Sequence, residues 1–435
     1  MTEILRDERG RWLIRIFAIT WLAYASYYLC RKNLSVLMPL FSGELGYTSA
    51  DLAQVVFAYS LAYALGQFLM GTLADRFGPR WVVTLGMLAS AAATALIGVW
   101  EGLTMLILLQ AVNGLAQSCG WSGLVKVMAC WFDYRHRGFA MGLWTTNYVL
   151  GGFLATVFVT FVATNTLLAP TLGWRRGVWV PALGLAAVAA AFALIVRNRP
   201  VDVGLPAVEE REQAAPRRRA PFRTVMTNPV VLVIAAAYFC LKLTRYALLF
   251  WLPLYMTQRL RYSPAEAGYT SSVFELVGFL GAILAGYVSD RFLSSRRFPV
   301  AAVMLAGLAA ACFFFPALGA LGRWGNILGI ALIGILTFGP DTLLGGAATQ
   351  DAGTQEAAAT AAGFVNGVGS LGSVLSPFAV AWVAGTTGWD NLFYLFSLIS
   401  LFGAVIVALK WNHGVPLTET SPVSAQPICQ TDART

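Results

Sequence analysis

Six ionisable side chains lie deep inside otherwise apolar runs of this sequence: Arg31, Lys32, Lys242 and Arg245 against Glu275 and Asp341. A cation at the centre of a membrane helix costs about 2.5–3.5 kcal/mol on insertion scales, so it persists where it faces a cavity or a partner. Arg31 and Arg245 occupy matching places in two halves of the chain. Two guanidiniums facing each other across one cavity would clamp a tetrahedral oxyanion, each through its planar fork of donors, and neither can lose its charge. A purely structural alternative gives them buried ion pairs with Glu275 and Asp341. With both acids ionised, four cations against two carboxylates leave a surplus of two positive charges, which a divalent phosphate ester would neutralise.

Tyr24, Tyr27, Tyr28 and Ser35 stand seven, four and three residues before Arg31 and four after it, so one helical face is polar and aromatic. Phenolic hydroxyls suit phosphate or sugar oxygens; the other reading of these tyrosines is an interfacial belt. Lys32 points about 100° away from Arg31 around the helix. Lys242 shares the face of Arg245 and is expected to reach the same anion. Lys126, close to the helix end at Trp131, is expected to snorkel to the interface. Asp341 follows Gly339-Pro340, where a broken helix would let it face the cavity and hold Lys242 while the site is empty; the alternative is a bond to backbone groups freed by Pro340. Metal chemistry finds no support: the six cysteines are scattered and the two histidines, His136 and His413, lie far apart. No cofactor and no enzymatic activity are expected.

The elements that carry these residues must be membrane helices. The chain is 58% hydrophobic and 12% charged, roughly half the charge of a soluble protein. Apolar runs long enough to cross a bilayer recur throughout, without the alternating ten-residue strands of a barrel. They predict helices over 13–41, 50–74, 80–100, 103–130, 138–164, 177–196, 229–257, 265–289, 298–320, 324–349, 357–385 and 391–411. The first, behind Arg6, Arg9, Arg11 and Arg15, is too long for a signal peptide. With a cytoplasmic N-terminus, 20 of the 30 Lys and Arg residues fall in cytoplasmic segments, five (Arg175, Arg176, Arg259, Arg261, Arg323) face outward and five lie inside helices. The net charge of +9 therefore sets topology and does not imply nucleic acid.

The chain reads as a duplication. Gly71-x-x-x-Asp75-Arg76 recurs as Gly286-x-x-x-Asp290-Arg291, and Gly173-Trp174 recurs as Gly388-Trp389 at the identical offset. The step from Arg31 to Arg245 matches that offset to within a single position. The expected organisation is a six-helix half over 1–196, a proline-rich, charged cytoplasmic linker over 197–228, a second half over 229–411, and a disordered cytoplasmic tail over 412–435. Substrate is expected between the halves, near the bilayer midplane.

Gly71-Thr-Leu-Ala-Asp75-Arg76-Phe-Gly78-Pro-Arg80 resembles the loop signature of the major facilitator superfamily, with a weaker copy at 286–297. The resemblance implies an all-α membrane protein of twelve transmembrane helices in two pseudo-symmetric bundles. It also implies that Gly71, Asp75, Arg76, Arg80, Asp290 and Arg291 latch a conformation and do not touch substrate. Tyr27-Tyr28-Leu-Cys-Arg31-Lys32-Asn33 is similar to the organophosphate:phosphate antiporters. So are Asn113-Gly-Leu-Ala-Gln117, Gly120-Trp121, Arg245-Tyr246, Phe274-Glu275 and Phe338-Gly-Pro340.

By that resemblance Arg31 and Arg245 correspond to phosphate-binding arginines. Tyr24, Tyr28, Tyr63 and Trp121 correspond to cavity residues, and Glu275 to an acid that exchanges ion pairs during rocking; Lys32 and Asp341 are the other candidate members of an ion-pair switch. The chain departs from the family at Gln67, where a lysine is expected; at Tyr148, where a histidine is common; and at Asp341, where a neutral residue is expected. Lys242 is read as replacing the charge lost at Gln67. The expectation is a monomeric inner-membrane exchanger of a phosphate ester for inorganic phosphate, both termini cytoplasmic. A proton-coupled symporter of another organic anion and a non-transporting sugar-phosphate sensor are the competing readings.

Overall fold

The computed structural model of the chain describes residues 8–100, 102–132, 140–165, 169–206, 226–349 and 358–413. Twelve helices among them are long and apolar enough to span a membrane: α1 Glu8–Glu44, α2 Ser49–Phe77, α3 Pro79–Ile97, α4 Leu103–Trp131, α5 Ala140–Thr164, α6 Pro170–Ile195, α7 Pro229–Gln258, α8 Pro264–Phe292, α9 Arg297–Ala320, α10 Arg323–Ala347, α11 Ala361–Thr386 and α12 Trp389–Ala408. Each falls within a few residues of its predicted position. Residues 207–225 of the linker and the tail beyond 413 lie outside the described residues, as do Arg135, His136 and Arg137.

The duplication reaches down to individual hydrogen bonds. Thr48 caps α2 through the Asp51 amide while the Asp51 carboxylate accepts from the Thr48 amide. Ser263 and Glu266, at the same offset as the repeated loop, close the same reciprocal box at the start of α8. Gly114 of α4 lies against the Tyr59 carbonyl of α2, and Gly334 of α10 against the Phe274 carbonyl of α8. The two Gly-Trp pairs are more than interfacial anchors. Gly173 and Gly388 turn through positive φ, and each buries the following tryptophan against the first helix of its own half. Trp174 lies 5.0 Å from Phe41, and Trp389 lies 5.9 Å from Tyr255.

Besides α6, which kinks at Gly173 near its start, four helices depart from the uninterrupted rods the apolar runs predict. α1 tightens at Tyr28, where the Arg31 amide bonds back to the Tyr28 carbonyl three residues earlier. α4 is broken at Ser118 and α5 at Thr145. In α10 the helix continues through Pro340 and widens into a π segment only at Leu343–Ala347. Such π segments cluster at functional sites, and this one begins two residues after Asp341.

The two halves meet away from the N-terminal side of the membrane. Ser42 accepts a bond from Gln258 at 3.2 Å, Ser35 donates to the Leu249 and Phe250 carbonyls at 3.1 and 2.8 Å, and Phe57 lies 4.8 Å from Phe378. Gly268 sits against Thr160 on the same side. On the N-terminal side the signature loops bind within their own halves. Lys126 bonds Asp75 at 2.5 Å and the Ala74 carbonyl at 3.2 Å, so it serves the loop and does not snorkel. Arg80 donates to the Ala193 carbonyl at 2.8 Å, and Asp290 accepts from Arg297 at 2.5 Å. Arg176, near the start of α6, is buried and donates to carbonyls at the end of α5, including Ala163 at 3.0 Å.

Candidate functional site

Arg31 is held from behind by a buried amide network. Its Nε donates to the Gln117 Oε1 at 2.9 Å, and the Tyr59 hydroxyl donates to the same oxygen at 3.0 Å. Gln117 in turn donates to Asn113 at 3.0 Å and Ser90 at 3.1 Å, and Asn113 donates to the Cys30 carbonyl at 2.8 Å. The guanidinium lies between the Tyr28 and Tyr63 rings, 4.7 and 4.9 Å from their centroids. Its Nη2 is buried without a hydrogen-bond partner. Back-bonding, ring stacking and one free donor orient a cation toward an anion without neutralising it. Gln117 belongs to a motif the sequence shows plainly, yet its supporting role becomes visible only once α4 packs against α1 and α2.

Lys32, the next residue, turns to the other half. It donates to the Leu249 carbonyl at 2.9 Å and approaches Glu275 Oε1 at 3.5 Å, with both side chains buried. Glu275 Oε2 accepts from Thr156 at 3.1 Å. Gly152 makes that approach possible, since a Cβ there would stand 2.5 Å from Glu275 Oε1. Glu275 thus joins α8 to α1 and α5 and pairs with Lys32, not with an arginine.

Arg245 donates to Asp341 at 2.8 Å through a single nitrogen. Arg245 Nε and Asp341 Oδ1 are both buried without partners, so the contact is not the bidentate fork a carboxylate can make. The guanidinium lies 4.6 Å from the Phe338 ring and 5.6 Å from the Tyr148 ring of the other half. Lys242 points elsewhere. Its ammonium donates to Asn366 at 2.5 Å and Ser370 at 3.4 Å on α11, above the Tyr238 ring. Both expectations for this cluster need correction: Asp341 holds Arg245 and not Lys242, and Lys242 is drawn toward α11 by acceptors that α7 alone does not reveal.

Aromatic contacts link the surroundings of the two arginines: Tyr59, which shares Gln117 with Arg31, lies 6.0 Å from Phe250, and Phe250 lies 6.5 Å from Tyr246, beside Arg245. Tyr24 packs 5.4 Å from Trp121, which is 37% exposed. Gln67 is half-buried on α2, one turn from Tyr63. An apolar recess of about 690 Å³ lined by Met70, Leu85, Leu115 and neighbours on α2–α4 holds none of these charges. Among the described residues, no group of His, Cys, Asp and Glu could hold a metal ion.

Twelve membrane-length helices in two repeated halves, with buried charges near their interface, form the frame of a membrane transporter. The profile of the Major Facilitator Superfamily matches residues 20–377. A glycerol-3-phosphate transporter of Bacillus subtilis is 30% identical, over 92% of this chain and 93% of its own length. A protein of Salmonella typhimurium named membrane sensor protein UhpC is 28% identical over 94% of each chain, and a zebrafish glucose-6-phosphate exchanger 27% identical over 94% of this chain and 93% of its own. In fold, the chain matches a bacterial homologue of the lysosomal transporter Spinster, solved inward-facing and unoccupied, with a TM-score of 0.75 at 13% identity over 92% of this chain and 96% of that one. The protein belongs to the Major Facilitator Superfamily, in its organophosphate:phosphate antiporter branch. It is a multi-pass membrane transporter and not an enzyme.

Proposed function

We propose that the protein exchanges an organic phosphate ester, of the sugar-phosphate or glycerol-3-phosphate type, for inorganic phosphate by alternating access in the inner membrane. It acts as a monomer with both termini in the cytoplasm. One observation carries the reading: two buried arginines from symmetry-related helices each lie against tyrosine rings, Arg31 by Tyr28 and Tyr63 and Arg245 by Tyr148 of the other half, and each has a guanidinium nitrogen lacking a partner. Phosphate supplies the acceptors those donors need, and Tyr28, Tyr63 and Tyr148 close around it. The relatives named for glycerol 3-phosphate and glucose 6-phosphate transport support the same substrate class. With the lobes joined away from the N-terminal side, the site is reached from the cytoplasm, and release of Lys32 from Glu275 would part them on the opposite side.

The test is counterflow. Proteoliposomes loaded with labelled phosphate should release label on addition of an external phosphate ester and retain it in buffer alone. Because relatives include a protein named as a sensor, the same experiment separates the readings: a sensor would give no exchange with any ester or with phosphate. Uptake driven by a pH gradient without internal phosphate would instead establish a symporter.

A further inference from the structure

We propose that Asp341 is a built-in counter-anion for Arg245, that incoming phosphate displaces it, and that Lys242 then receives it. The inference rests on the phosphate-exchange reading and concerns how the same site empties and fills.

The charges permit few other assignments. Of four intramembrane cations, Lys32 is matched by Glu275 and Arg245 by Asp341, while Arg31 and Lys242 have only neutral hydrogen-bond acceptors. A divalent phosphate held by Arg31 alone would leave Lys242 unmatched and Asp341 beside the ligand. If phosphate takes Arg245 as well, Asp341 must leave it, because two anions cannot share one buried guanidinium cheaply. Lys242 stands one helical turn from Arg245, on the same face of α7, and above the Tyr238 ring, whose hydroxyl lies against Gly345 in the π segment of α10 that follows Asp341. Moving the carboxylate there matches every charge: phosphate with Arg31 and Arg245, Asp341 with Lys242, Glu275 with Lys32.

The contacts to be broken are suited to exchange. Asp341 binds Arg245 through one oxygen, its other oxygen has no partner, and Arg245 Nε is also free. The π segment that begins two residues after Asp341 gives α10 local slack for the shift. Lys242 is held only by the neutral Asn366 and Ser370, of which Asn366 is exposed, and Gly369 leaves the space its stem occupies on α11. Asp341 is a positioning residue in this scheme: it sets the affinity of Arg245 for phosphate without touching the transported ion.

The sign of one effect tests the idea. Asp341→Asn removes the competitor, so inorganic phosphate should bind more tightly, by at least about fivefold, the lower end of usual site-to-site couplings, while exchange slows. A role confined to holding the helix would give unchanged or weaker binding, and either result overturns the relay. Asp341→Glu, which keeps the charge, guards against misfolding and should bind phosphate close to wild type; tightening in that variant as well would also overturn it. Lys242→Gln should weaken phosphate binding in the wild-type background but have little effect alongside Asp341→Asn. Equal losses in both backgrounds would mean that Lys242 holds phosphate directly, and the relay would fall. Wild-type protein that binds and exchanges no phosphate would refute the underlying reading instead, an outcome distinguishable from all of these.

Discussion

The support behind Arg31 offers the sharpest perturbation of the site. Gln117→Glu keeps every heavy-atom position and lets the new side chain accept from Arg31 Nε and the Tyr59 hydroxyl as Gln117 does now. It replaces a neutral amide oxygen at 2.9 Å with a carboxylate. Arg31 is 6% exposed, so the pair is little screened. Two unit charges about 4 Å apart interact by about 4 kcal/mol at the effective dielectric that describes protein sites. Each 1.4 kcal/mol is a tenfold change in affinity, so phosphate should bind about a thousandfold more weakly although both arginines remain. The three donations from Gln117 to Asn113, Ser90 and the Tyr27 carbonyl are lost at the same time. Thermal stability should therefore be measured alongside binding, with a fall of about 1–3 kcal/mol expected for the acceptors left unpaired. The assay is equilibrium binding of labelled phosphate to purified protein, followed by phosphate–phosphate exchange in liposomes. Near-normal affinity in folded Gln117→Glu protein would refute the argument that the available charge of Arg31 binds the anion.

Two further predictions follow from the same geometry. Arg31→Lys and Arg245→Lys should each abolish exchange, because an ammonium keeps the charge but cannot reproduce the guanidinium fork; near-normal transport by both variants would remove the clamp. Ser42→Cys with Gln258→Cys should be bridged by a short bis-methanethiosulfonate reagent and stop exchange until the bridge is reduced, since the wild-type side chains meet at 3.2 Å across the closed side. Full exchange by quantitatively cross-linked protein would mean that the two halves need not separate there.

Much of this protein is written along the chain. Apolar runs of bilayer length fix the twelve helices, because a backbone in hydrocarbon must satisfy its hydrogen bonds within its own segment. A duplication preserves spacing, so the matching steps from Gly71 to Gly286, Gly173 to Gly388 and Arg31 to Arg245 identify two equivalent halves. The repeated capping boxes show how local that equivalence is. The cost of charge in a membrane marks Arg31, Lys32, Lys242, Arg245, Glu275 and Asp341 before any packing is known.

Which of those charges belong together is a different matter, and only the tertiary structure decides it. Arg31 and Lys32 are neighbours in sequence, yet about 100° of helical rotation sends one to Gln117 in its own half and the other to Glu275 across the interface. Arg245 and Lys242 share a face of α7, but acceptors supplied by α10 and α11 draw them apart, to Asp341 and to Asn366. Lys126 meets Asp75 only because α4 ends beside the loop after α2. The interruptions at Tyr28, Ser118 and Leu343 likewise carry no hydropathy signal, since a turn can tighten or widen without changing how apolar it is. Hydropathy and spacing are properties of one segment at a time. Partner choice depends on the rotation and depth of two helices at once, which is why the charges could be found in the sequence and their pairing could not.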